Sequence, residues 1–152
     1  MRLSSRKKAA MLFASLVSMM LLMDGVSTAA RVLPNPVLVF TGQESYEANG
    51  KQWTRYKFEV DNRADYPNEM FAAAPELPPC GKNTKASRTW VDLYDQSGKR
   101  LYGFCALGSR DGLAQLWFNL ETDVIPPSWI YLEMTDRKTN TKYKSNLAET
   151  VM

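Results

Sequence analysis

The chain has 152 residues, with 19 basic and 16 acidic side chains, no histidine and two cysteines. Setting aside the four basic and one acidic residues among the first 30 leaves 15 of each, so residues 31–152 carry no formal net charge and hold no general attraction for nucleic acid or an acidic membrane surface. Without histidine there is no Ser-His or Cys-His nucleophile pair, and the commonest metal ligand is missing, so the expectation is a non-catalytic protein without cofactor or metal.

Arg2, Arg6, Lys7 and Lys8 open the chain, and Met11 to Met23 follows as an apolar run of 13 residues. The stretch DGVSTAA then ends in small residues. That order is the order of a secretory signal peptide cleaved near Ala30. The competing reading is a membrane anchor, which needs an apolar run of about 20 residues. Residues 1–30 are therefore expected to be a leader. Residues 31–152 are expected to form one domain, periplasmic or secreted, with no stable membrane insertion after cleavage.

Beyond the leader the chain alternates in period two. Val37 to Phe40 (VLVF) follows two prolines, and WTRYKFEVDN from Trp53 places Tyr56, Phe58 and Val60 on one face and Arg55, Lys57 and Glu59 on the other. Asn49-Gly50 between them is a hairpin signal, because both residues accept positive φ. Asp61 to Ser87 has four prolines and little periodicity and reads as loop. RTWVDLYD from Arg88 is the next strand, with Val91 and Leu93 opposing Trp90, Asp92 and Tyr94. The turn Gln96 to Lys99 returns the chain into LYGFCAL, and Leu113 to Leu120 follows. In SWIYLEMTDR, Ile130, Leu132 and Met134 oppose Trp129, Tyr131 and Glu133. Thr139-Asn140 turns into a last strand around Lys142 to Lys144, and Leu147 to Met152 reads as a tail. About seven short strands with regular turn signals predict an all-β antiparallel sandwich or small barrel.

Both cysteines, Cys80 and Cys105, lie in the part expected to be exported. An oxidising compartment usually bridges such a pair. The bridge would close 26 residues counted inclusively, and chain entropy assigns a loop of that size about 3.5 kcal/mol. A metal pair would need carboxylate partners, a poor match for zinc, and a reactive thiol is the other alternative.

The string WVDLYDQSGKRLYGFC, then LWFNL, then PPSWIYLEMTDRKTNTKYKS resembles the later strands of immunoglobulin-like and fibronectin type III-like domains. The likeness spans about Pro75 to Asn146 and implies a β-sandwich; its motifs are packing motifs with no catalytic residue to carry over. The leader, the PPCG corner and the GFCAL strand are together similar to small uncharacterised secreted proteins of Gram-negative bacteria. Cys80 departs from the antibody pattern by standing in a loop.

The candidate binding residues are aromatic. Trp90, Trp117 and Trp129 fall out of phase with the aliphatic face, with Tyr94 beside them, and rigid exposed rings suit sugar stacking or partner binding. The competing reading is partial burial, or a basic stem lying across the ring. The expected partner is a protein or glycan in the cell envelope or outside, and not nucleic acid. A second candidate is the loop Pro79 to Lys85, whose rigid frame presents Lys82 as a preorganised inhibitor loop would. Carboxylates such as Asp92 and Asp95 read as turn and strand-edge residues.

Overall fold

Eight antiparallel strands fold into two sheets in the computed structural model, which describes residues 32–150. The expected leader, and its cleavage near Ala30, lie outside the described residues. β1 (Leu38–Ala48) and β2 (Lys51–Val60) form a hairpin, and β5 (Leu116–Glu121) completes a three-stranded sheet in the order β1-β2-β5. The second sheet runs β4 (Arg100–Phe104), β3 (Thr89–Asp95), β6 (Trp129–Asp136), β7 (Thr141–Lys144), with β8 (Ala148–Glu149) also paired to β6. Ile130 pairs with Asp95 of β3 on one side and Ala148 of β8 on the other, so β7 and β8 lie end to end along one side of β6.

The period-two residues make the core between the sheets. Tyr56, Phe58, Val60, Leu116 and Phe118 come from the first sheet, and Val91, Leu93, Ile130, Leu132 and Met134 from the second; all are buried. Phe118 stacks on both Tyr56 and Phe58, with ring centroids 5.0 Å and 5.8 Å away. The predicted hairpin turn is present, with Asn49 at φ 54° and Gly50 at φ 72°, the paired left-handed residues a two-residue hairpin needs. At the β3–β4 turn, one Asp95 carboxylate oxygen accepts from Ser97 N, Ser97 Oγ and Lys99 N.

Four features depart from the sequence reading. β1 is longer than VLVF, because its polar second half still pairs with β2 past a bulge between Phe40 and Gly42. The tail is not loose: β8 adds an eighth strand, and Ala148 and Thr150 are buried. Asp61 to Ser87 is irregular but not merely superficial, since Tyr66, Met70 and Phe71 enter the core. The Tyr66 hydroxyl donates to the Pro34 carbonyl at 2.7 Å, and burial pushes that phenol up to about 12. Lastly, β4 ends at Phe104, so Cys105 stands just beyond the strand.

The expected Cys80–Cys105 bridge is carried in the structure as two free thiols. They are neighbours all the same. Burial, and then the adjacent Cys80 thiol, push Cys105 up to about 11.

Candidate functional site

Strand parity decides where each candidate side chain points. On β3 the inward positions are Val91 and Leu93, so Trp90, Asp92 and Tyr94 face outward; on β6 the outward set is Trp129, Tyr131, Glu133 and Thr135. The register places Tyr94 opposite Tyr131 and Asp92 opposite Glu133. Three of the four aromatic candidates, Trp90, Tyr94 and Trp129, therefore share the outer face of the second sheet.

The centre of that face is a ring platform. Tyr94 and Tyr131 stack with centroids 5.2 Å apart and planes 16° from parallel. Trp129, two residues before Tyr131 on the same strand, extends the row and is 39% exposed. Gly98 in the β3–β4 turn lies beside it, where an added Cβ would stand 3.9 Å from the Tyr131 hydroxyl. Burial, and then the nearby Asp92 and Glu133 charges, raise the Tyr94 phenol, which stays a neutral hydrogen-bond donor at ordinary pH.

An ionic row runs beside the rings. Asp92 and Glu133 are like charges directly opposed across β3 and β6, an arrangement that destabilises a sheet unless cations compensate. Arg100 reaches Asp92 from β4 at 2.7 Å, and Lys142 reaches Glu133 from β7 at 2.7 Å. Gly103 makes room for the first of these pairs, because a Cβ there would overlap both the Arg100 guanidinium and the Asp92 carboxylate. Lys144 sets its ammonium 3.9 Å from the Tyr131 ring centroid, and Arg137 sits 3.9 Å over Trp90. Trp90 is therefore capped by a cation, as the competing reading of the tryptophans holds, whereas among the described residues no cation lies over Trp129.

Trp117 is not part of this face. It lies on β5, across the three-stranded sheet from Lys57, and packs against Tyr102 at 4.3 Å and Phe104 at 5.9 Å. Tyr102 and Phe104 share the inward phase of Leu93 and Val91. The smaller sheet ends at β5, however, so both β4 rings meet Trp117 at its edge, with Phe104 partly buried against the core and Tyr102 exposed. Arg55 covers Trp117 from the other direction, 5.0 Å from its ring.

Lys82 is exposed on a tight turn. Asn83 N donates to the Cys80 carbonyl at 2.9 Å, Gly81 adopts φ 57°, and Lys85 N donates to Asn83 Oδ1 at 2.9 Å. Arg137 anchors the approach by donating to the Pro78 carbonyl.

Tyr131 is the site residue that the sequence reading did not single out. Its signal was present, since it shares the outward phase of Trp129. Among the described residues no cluster of His, Cys, Asp or Glu could hold a metal ion, and no helix is long and apolar enough to cross a membrane. Comparison with protein-family models, curated proteins and solved structures finds no match for the chain.

Proposed function

We propose that this chain is an exported, non-catalytic binding module that engages a glycan in the cell envelope or outside it, through the outer face of the second sheet. The observation that carries the reading is the stacked Tyr94–Tyr131 pair with Trp129 open beside it. Stacked rings on paired strands hold one another rigid beside the exposed ring of Trp129, and sugar rings bring matching apolar faces. Hydroxyl donors and ionised side chains at the border supply the polar contacts that orient such a ligand.

A fibronectin type III-like sandwich fits this role, and the strand order supports it. In a constant-type immunoglobulin domain the fourth strand belongs to the sheet of the first and second strands. Here β4 lies beside β3 in the opposite sheet, which favours the type III-like arrangement. The Cys80–Cys105 bridge belongs to the same proposal, as does export behind residues 1–30.

Tryptophan fluorescence tests the site directly. Titrating the processed chain with a panel of neutral and charged oligosaccharides should shift the emission of Trp129. Trp129→Ala and Tyr131→Ala should each weaken binding roughly tenfold, the effect of removing an anchoring ring. A panel that leaves the emission unmoved, or variants that bind as the parent does, would end the glycan reading.

A second reading rests on the Cys80–Asn83 turn, which holds Lys82 at an exposed tip. A preorganised loop of this kind suits insertion into the cleft of an enzyme, making the protein a small inhibitor. Lys82→Ala should abolish inhibition of any protease the parent inhibits; inhibition that survives the change removes the loop from consideration.

A further inference from the structure

The outer face of the three-stranded sheet holds a cleft of about 390 Å³, separate from the ring platform on the other sheet. It is lined by Thr41, Glu44, Arg55, Lys57, Gln115 and Trp117, among others. Its position follows from the backbone. The register of β1 against β2 slips between Phe40 and Gly42, and Gly42 takes φ 135°, a conformation that L side chains rarely adopt. The bulge redirects β1 just before Glu44.

Inside the cleft one carboxylate is shared by two cations. Glu44 Oε1 accepts from Arg55 Nη1 at 3.2 Å, and Glu44 Oε2 accepts from Lys57 Nζ at 3.1 Å. The hydrogen bond from Lys57, then the Lys57 charge and the weaker pull of Arg55, hold the Glu44 carboxyl below its usual range. Arg55 itself is held in place: its guanidinium lies 5.0 Å from both the Tyr46 and the Trp117 rings, and its Nε donates to Asn119 Oδ1 at 3.3 Å. Among the cleft-lining residues Glu44 is the single acid against two bases, so the cleft keeps an excess positive charge.

We infer that this cleft binds an acidic sugar, whose carboxylate takes the place of Glu44 between Arg55 and Lys57 while its ring fills the rest of the cleft beside Thr41 and Gln115. Glu44 stands on an edge strand and its side chain is 44% exposed, so it swings into solvent at little cost. Arg55 remains fixed by its two rings and Asn119, which presents a preformed guanidinium to the incoming anion. Gln115 and Thr41 face the sugar hydroxyls as neutral partners. The volume fits a small saccharide and lies at the small end of ligand clefts, about 300–1,000 Å³. Glu44 acts as an internal competitor that sets the affinity and rejects uncharged sugars.

The test titrates the chain with a galacturonate trisaccharide and with its methyl ester, following the Arg55 side-chain Nε–H resonance by NMR. The acid should move that resonance and the ester should not. Glu44→Gln, which removes the competitor while keeping the shape, should bind the acid about tenfold more tightly. Arg55→Met, which removes the preformed guanidinium, should bind it at least tenfold more weakly. Equal binding of acid and ester, or a Glu44→Gln variant no tighter than the parent, overturns the inference. Tighter binding of an Asp-terminated peptide than of the trisaccharide overturns the assignment to sugars. Loss of glycan binding at the platform alone leaves these outcomes untouched, so the two sites fail separately.

Discussion

Replacing Asp136 by alanine should cost about 3 kcal/mol in urea unfolding at neutral pH, a large part of the roughly 5–15 kcal/mol that holds a domain of this size together. Asp136 is 3% exposed at the end of β6 and is gripped twice by Arg88, by Nε at 2.8 Å and by a second guanidinium nitrogen. Its Oδ1 also accepts from Lys138 N at 3.0 Å, which shapes the turn into β7. Without the carboxylate, a half-buried guanidinium loses its counter-ion and the turn loses its acceptor. Asp136→Asn keeps the acceptor and should cost less. Burial pushes this carboxyl up, yet Arg88 and the Lys138 N–H outweigh burial and leave it below its ordinary value of 3.8. A carboxylate depressed by folding stabilises fully above its unfolded value and loses that contribution as pH falls through the folded one. The parent should therefore shed this stability only below about pH 4, whereas the alanine variant should show a flatter acid limb. Parallel acid limbs in the two proteins would show that the pair contributes nothing.

Oxidation of the neighbouring thiols should raise stability by about 3.5 kcal/mol at 25 °C, the chain-entropy value for this loop. The bond would tie the far end of the long β2–β3 crossover to the residue just after β4. The Cys80 thiol is near enough to raise that of Cys105. The test compares urea unfolding of oxidised and dithiothreitol-reduced protein, with a Cys80→Ala, Cys105→Ala double variant as the reference for the open loop. Mass spectrometry should find the oxidised form two hydrogens lighter. Because Cys105 is pushed up to about 11, little thiolate forms on it at neutral pH, and uncatalysed closure through it should accelerate as the solution is made more alkaline. Identical unfolding curves for the three proteins would dispose of the bridge as a stabilising element.

The strands were legible because each carries its own alternation. Tyr56, Phe58 and Val60 turn inward together, as do Ile130, Leu132 and Met134, and no neighbouring strand is needed to see it. The Asn49-Gly50 turn was legible for an equally local reason, the φ that it demands. Phase within a strand does not say which sheet the strand joins. That is why Trp117 could be grouped with Trp90 and Trp129 in sequence and yet stand on the other layer. Tyr102 and Phe104 show the same limit, since their inward phase gives no sign that the facing sheet stops short of them. Tyr66, Met70 and Phe71 were hidden differently: a segment that crosses between sheets has no period, so its buried residues leave no pattern. The cleft at Glu44 was out of reach because it depends on a bulge and on three strands meeting in register.

The first strand and the chain's far end are joined by a single amide. Asn146 accepts from Leu38 N at 2.8 Å and donates to the Leu38 carbonyl at 3.1 Å, standing in for a strand partner across 108 positions of sequence. A polypeptide made head first has no such partner to offer β1 until those 108 further positions have been added. That side of β1 thus stays unsealed while every other strand but β8 is being made.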